Sequence, residues 1–249
     1  INSGNSIVLT APTGSGKTIL GEFAIHRALS HKNRVFYTTP LKALSNQKFR
    51  DFSLQFGEDK VGLLTGDISI NREAPVLIMT TEIFRNMLYG EFEDSDDPLI
   101  NLESIILDEC HYMNDPERGT VWEETIIHCP RMTQIIALSA TISNANQLAN
   151  WINKVHGPTL LINSEIRPVP LEFIFCSSKG FHPLLNDKGN GIHPNCKVWR
   201  SPKGQRRKSK VGKITQPKAP PIGFVVAKLF ERNMLPAIYF IFSRKGCDK

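Results

Sequence analysis

Residues 6–18 read Ser6-Ile7-Val8-Leu9-Thr10-Ala11-Pro12-Thr13-Gly14-Ser15-Gly16-Lys17-Thr18. The first five form a short apolar, β-prone run, and helical spacing of apolar residues begins at Gly16. A strand, a glycine-rich loop and a helix therefore follow one another. Glycines let backbone N–H groups turn toward a phosphate with no Cβ in the way. The helix that opens there points its positive end at the same anion. Lys17 is positioned for the β- and γ-phosphates of ATP, and the Thr18 hydroxyl for Mg2+. An ordinary glycine-rich turn is the competing reading, and the strand–loop–helix setting counts against it. Ala11 stands where this loop pattern starts with Gly. ATP and Mg2+ are thus the expected cofactors of Ala11, Pro12, Thr13, Gly14, Ser15, Gly16, Lys17 and Thr18.

Working outward from the loop, short β-rich runs alternate with helical patterns. Strands are predicted at 6–10, 34–39, 61–64, 76–80, 104–107, 134–139 and 159–163. Helices are predicted at 16–29, with Ile19, Phe23 and Ala24 on one face, and at 41–52, 82–88, 121–128 and 144–155. This alternation specifies an α/β fold, a parallel sheet with helices on both faces, over residues 1–165. A strand at 171–176 then leaves that domain. Residues 166–221 read as a linker whose irregular, mobile insert begins at Ser177. A helix at 223–232 and a buried strand at 237–242 read as the start of a second, similar domain over 222–249, cut off at Lys249. The chain starts on Ile1 and is expected to be a fragment of a longer protein.

The 249 residues are 41% apolar, which suffices for a buried core and excludes global disorder. No leader and no long apolar run predicts a membrane segment. The net charge of +6 hides an asymmetry: residues 179–222 hold eleven Lys/Arg against the single acid Asp187. That segment, with Arg206-Arg207-Lys208, is either a salt-sensitive, sequence-blind nucleic-acid arm or a merely solvated run. Cys110, Cys129, Cys176, Cys196 and Cys247 are unpatterned, which suggests reduced thiols inside a cell. His193 and Cys196, with His182 nearby, have a zinc-like spacing but lack a fourth partner and read as incidental.

Two further motifs end on predicted strands. Asp108-Glu109-Cys110-His111 follows Ile105-Ile106-Leu107. Carboxylates at the carboxyl end of a parallel strand stand where ligands bind. Asp108 is placed to hold Mg2+, through water, and Glu109 to orient and deprotonate the water that attacks the γ-phosphate. Ser139-Ala140-Thr141 closes the strand at 134–139. Its hydroxyls are expected to bond His111 or the acidic box and report the phosphate state.

Read together, the motifs resemble superfamily-two helicases of the DExH-box type, and within them the superkiller-type RNA helicases. The residues that carry this are 39–48 (TPLKALSNQK), 62–67 (GLLTGD), Thr80-Thr81-Glu82, 118–124 (RGTVWEE), 167–171 (RPVPL) and 235–244 (LPAIYFIFSR). The wording is closest to cyanobacterial and plastid members, and the likeness spans the chain except the basic insert. It implies RecA-like domains and an ATP-dependent RNA helicase translocating 3′ to 5′. Lys17, Asp108, Glu109 and His111 would serve catalysis. Pro40, Lys42, Asn46, Gln47, Thr65, Gly66, Asp67, Thr81 and Glu82 would lie along the backbone of single-stranded or partly duplex RNA, with DNA possible. Helix capping competes as the reading of each of these. Cys110, where many relatives have Val or Ile, is expected to face the interior. A second helicase domain in cis would supply an arginine finger. RNA-degrading or RNA-maturing machinery is the implied partner, and the bacterial cytoplasm or plastid stroma the implied location. A DNA helicase built from the same motifs and an ATP-switched clamp without unwinding stay open as alternatives. A metabolic kinase has no need of residues 39–48.

Overall fold

Parallel strands cannot pair through a tight turn, so each pair needs a crossover, and here helices supply most of them. The computed structural model describes residues 1–90, 98–177, 180–186, 188–197 and 220–241, which fall into two units divided at Val169/Pro170. In the first unit the order is β1 (Ser6–Thr10), α1 (Thr18–Ser30), β2 (Arg34–Thr39), α2 (Lys42–Phe56), β3 (Val61–Leu64), β4 (Ser69–Ile70), β5 (Val76–Thr80) and α3 (Thr81–Leu88). It continues with β6 (Leu102–Leu107), a 3-10 turn (Cys110–Asn114), α4 (Gly119–His128), β7 (Gln134–Ser139), α5 (Ala145–Val155) and β8 (Thr159–Asn163).

The eight strands form one sheet in the order β4-β3-β5-β2-β6-β7-β1-β8. Every pairing is parallel except β3 with β4 at the edge. Strand alternation sends Phe36, Leu77, Ile105 and Ala137 to one face, where they pack with Phe84, Trp122 and Ile126. Tyr37, Ile78, Ile106 and Leu138 go to the other, against Ala24, Ile25 and Phe52. Both faces are thus covered, as the continuous apolar runs require. Because β1, β7 and β6 are parallel neighbours, their carboxyl ends stop at one edge of the sheet.

Several expectations are corrected. Helix α1 buries Gly21, Ala24, Ile25 and Ala28, while Ile19 and Phe23 face outward at 67% and 47% exposure. Small residues win the contact because the helix lies close on Tyr37. Helix α2 runs to Phe56, a turn past the predicted end, and Gly57 closes it at φ 104°. The short strand β4 has no apolar alternation of its own and depends on pairing with β3.

The second unit begins with a hairpin of β9 (Ile174–Ser177) and β10 (Gly180–Pro183), antiparallel from Gly180↔Ser177 to Pro183↔Ile174. A bridge Leu185↔Ile192, a short helix α6 (Pro194–Lys197) and helix α7 (Ile222–Glu231) follow. Part of the stretch predicted to be irregular is therefore ordered pairing, which needs backbone partners rather than an apolar run. His182 Nε2 lies 3.2 Å from Ser177 Oγ, and Cys196 Sγ lies 3.2 Å from the Pro183 carbonyl. Residues 237–241 are not a buried strand: Ile238 and Phe240 are 83% and 74% exposed. No described strand runs beside them, and a strand without a neighbour leaves its N–H and C=O groups unpaired. Arg206, Arg207 and Lys208 lie outside the described residues.

The edge pair β3–β4 yields a stability test. A Cβ at Gly62 would sit 2.2 Å from the Asn71 carbonyl oxygen and 2.9 Å from Leu77 Cδ1. Gly62→Ala is expected to lower unfolding free energy by about 1–3 kcal/mol in a denaturant titration; an unchanged midpoint would contradict this packing.

Candidate active site

The loop from Ala11 to Thr18 joins β1 to α1 at the carboxyl edge. Gly14 and Gly16 take φ 83° and 81°, the left-handed region that side chains disfavour. The N–H groups of Gly14, Gly16, Lys17 and Thr18 meet no acceptor among the described residues. Helix α1 starts without a side-chain cap and without an acid in its first turn. Its positive end is therefore open to an anion. Lys17 Nζ donates to the carbonyls of Ala11 (2.9 Å) and Pro12 (3.2 Å), which holds the ammonium over the loop. The buried Ser15 hydroxyl has no partner among the described residues. Free donors, a positive helix end and a lysine fit a triphosphate. Ala11, Pro12 and Thr13 complete the loop, the first two buried and Thr13 exposed.

One strand, β7, separates β1 from β6, so the acidic box stands about 10 Å from the phosphate loop, two strand spacings. Asp108 accepts from its neighbour's N–H, Glu109 N, at 2.9 Å through Oδ1 and from the Tyr37 hydroxyl at 2.6 Å through Oδ2. Burial, and then the Asp108 carboxylate beside it, hold the Tyr37 phenol well above its ordinary range, so it stays a donor. These bonds fix the carboxylate while leaving lone pairs for metal-bound water, and together with the Thr18 hydroxyl they fit Mg2+, which takes few protein ligands. Glu109 sits at φ 53° and ψ 40°, a left-handed conformation costing about 1 kcal/mol or more. That kink turns the chain from β6 into the 3-10 turn. Cys110 points inward, fully buried, with its thiol pushed up to about 12 by burial.

His111 Nδ1 lies 3.2 Å from Glu109 Oε2 and 3.5 Å from the Ala140 N–H. The link from the triplet to the box is thus a backbone amide. The hydroxyls expected to make it do not: Ser139 Oγ is buried without a partner, and Thr141 is exposed. Ser139 contributes its carbonyl, which accepts the Ala11 N–H at 3.1 Å. Strand β7 therefore touches both the phosphate loop and the acidic box.

The residues expected along a nucleic-acid backbone gather on the ends of β2, β3 and β5 at this carboxyl edge. Lys42 Nζ and Thr65 Oγ1 both donate to Asp67 Oδ1 at 2.9 Å, tying the start of α2 to the turn after β3, and these bonds hold the Asp67 carboxyl below its ordinary value. Gly66 lies against the Lys42 side chain. Thr81 is fully buried, and its hydroxyl donates to the Thr39 carbonyl at 3.3 Å. Pro40 and Thr65 are buried too, whereas Lys42, Gln47, Gly66 and Asp67 are exposed and Asn46 and Glu82 partly so. A phosphate would meet the main chain, not the side chain, at Thr81.

A DEAD/DEAH box helicase family model matches residues 1–148. The chain belongs to the DEAD/DEAH box helicases. This helicase is 42% identical to the chloroplastic DExH-box ATP-dependent RNA helicase DExH15 of Arabidopsis thaliana, over 98% of its own length and 24% of that protein's. It is 41% identical to Superkiller complex protein 2 of Mus musculus, over 98% of its length and 21% of the relative's. It thus spans about a quarter of the curated relatives it matches. Among solved structures, the DUF1998 helicase MrfA bound to DNA and AMPPNP superposes with a TM-score of 0.55 at 22% identity, over 66% of this helicase and 25% of that chain. The α/β sheet is the helicase fold.

Three contributors escaped the sequence reading. Tyr37 sits in a strand read only for its apolar alternation. Lys48 donates to Thr18 Oγ1 at 3.1 Å from the far end of the 39–48 motif. Arg118, between the 3-10 turn and α4, donates to the Pro40 carbonyl at 2.9 Å and pairs with Glu82. The Glu82 pairing raises the Arg118 pKa. A signal existed for the last two, since both stand inside motif segments, but nothing there names a partner. Both Arg118 and Glu82 are about one-third exposed, so a double-mutant cycle with Arg118→Met and Glu82→Gln is expected to give a coupling of about 0.2–1 kcal/mol in denaturant unfolding. Additive losses would remove the pair from the scaffold of this face.

Proposed function

We propose that the protein is an ATP-dependent RNA helicase whose first RecA-like domain is formed by residues 1–165. The observation that carries this is the convergence at one sheet edge of an open anion cradle, two adjacent carboxylates and a backbone link between them. A ring of backbone-gripping turns lies beside it. Lys17 and the loop N–H groups would bind the β- and γ-phosphates, and Thr18 and Asp108 would hold Mg2+. Mg2+ held by these two residues would supply positive charge against the triphosphate. Glu109 would take the proton of the attacking water, with His111 beside it to fix its orientation. Relatives named as RNA helicases support RNA as the substrate, and 3′-to-5′ translocation follows the superkiller-type resemblance.

Residues 166–221 are read as linker and 222–249 as the opening of a second RecA-like domain, the proposed source of the arginine finger. Nucleotide-driven closure of the two domains would grip and release the strand. A relative named as part of a complex supports association with RNA-degrading or RNA-maturing machinery. A chloroplastic relative supports the plastid stroma as its place, and a mycobacterial one the bacterial cytoplasm. No described helix is long and apolar enough to cross a membrane.

Glu109→Gln in the protein is expected to slow ATP hydrolysis by about 10²–10⁴-fold while keeping ATP binding within a few-fold. RNA is expected to stimulate the wild-type ATPase more than DNA of the same sequence. Unchanged turnover in Glu109→Gln removes that acid from its role, and a DNA preference overturns the RNA assignment.

A further inference from the structure

The site as described leaves one cation without a task. Lys48 lies on α2, and its Nζ donates to the Thr18 hydroxyl at 3.1 Å. The same ammonium stands 5.5 Å from the centroid of the Tyr37 ring and 5.7 Å from that of Phe52. Tyr37 in turn holds Asp108 at 2.6 Å. Helix α2 therefore touches both groups assigned to the metal, Thr18 directly and Asp108 through a phenol. Among the described residues no carboxylate pairs with Lys48.

This arrangement sets two cations against one oxygen. A divalent ion on Thr18 Oγ1 would stand within a few ångströms of the ammonium already bonded to that oxygen, and like charges at such distances repel strongly in a partly buried site. The ammonium has somewhere else to go. The ammonium itself already lies over two aromatic rings, whose faces accept a cation, so it keeps a seat there once Thr18 is taken. The helix that carries it also carries Lys42, Asn46 and Gln47, and its first turn is tied to Asp67 through Lys42. A displacement of Lys48 is therefore felt by the whole of α2, because a helix moves as a unit against its neighbours.

We propose that Lys48 competes with Mg2+ for Thr18, and so ties the position of the nucleic-acid-facing helix α2 to occupancy of the nucleotide site. Without metal and nucleotide, Lys48 clasps the phosphate loop. When they bind, the ammonium gives up Thr18 and keeps only the faces of Tyr37 and Phe52, and α2 is released from the loop. Lys48 is a positioning residue in this scheme: it contacts neither substrate. The inference rests on the nucleotide-site reading given above.

The test uses Lys48→Met, which keeps the aliphatic stem and removes the charge, with Lys48→Gln as a second neutral variant and Lys48→Arg as the charge-retaining control. Two quantities are measured in the protein: the Mg2+ concentration for half-maximal binding of a non-hydrolysable ATP analogue, and the affinity for a single-stranded RNA with and without that analogue. In both neutral variants the Mg2+ midpoint is expected to fall about tenfold. Nucleotide is expected to change their RNA affinity several-fold less than it changes the wild type's, while Lys48→Arg behaves as wild type. An unchanged Mg2+ midpoint, or a nucleotide response of RNA affinity as large in the neutral variants as in wild type, overturns the proposal. A wild-type protein that takes up no Mg2+–nucleotide at all instead removes the reading on which the proposal stands.

Discussion

The beginning of α1 carries positive charge that the chain itself leaves unanswered. Four successive or near-successive N–H groups meet no acceptor among the described residues, no side-chain cap is made at Lys17, and no acid stands in the first turn. Helix ends are satisfied by caps, water or ligands, and here the chain leaves that place to something other than a cap. Two glycines in left-handed conformations hold the loop in the shape that exposes those donors. Every other feature of the edge is placed with respect to this point of positive potential, including the acids one strand beyond β7.

Strand β7 makes that placement more than proximity. Its last carbonyl receives the first N–H of the phosphate loop, and the next amide in sequence points toward His111. The imidazole nitrogen reached by that amide also faces Glu109. A single ring nitrogen cannot both accept from an amide and donate to a carboxylate, so its proton decides which neighbour it serves. The glycine-rich loop and Glu109 are thereby joined through two consecutive residues of one strand end, Ser139 and Ala140, and one histidine.

The sheet was largely legible because parallel strands buried on both faces declare themselves as apolar runs, and five of these, with the more exposed edge strand β8, fall on the predicted residues. Helix faces were less so. Ile19 and Phe23 outweigh Gly21 and Ala28 in hydrophobicity, yet close approach to Tyr37 favours the small stripe, a packing effect that no periodicity count contains. Ser139 and Thr141 illustrate a different gap: the motif marks the right turn, but the contacting atom is a main-chain amide, and backbone direction is set by β7 pairing. Tyr37 and Lys48 were hidden because their partners are 71 and 30 residues away in sequence. The exposed run 237–241 shows the reverse failure, since apolar alternation describes a strand's preference and not whether a neighbour is there to pair with it.

The thiol between Glu109 and His111 has one more consequence. Cysteine chemistry proceeds through the thiolate, and Cys110 is both inaccessible and held near 12, so almost none of it is ionised at cellular pH. Electrophiles and peroxides that inactivate other cysteine-bearing active sites find no nucleophile here while the domain stays folded. The candidate site thus carries a sulfur atom at its heart whose own reactivity is shut off by burial.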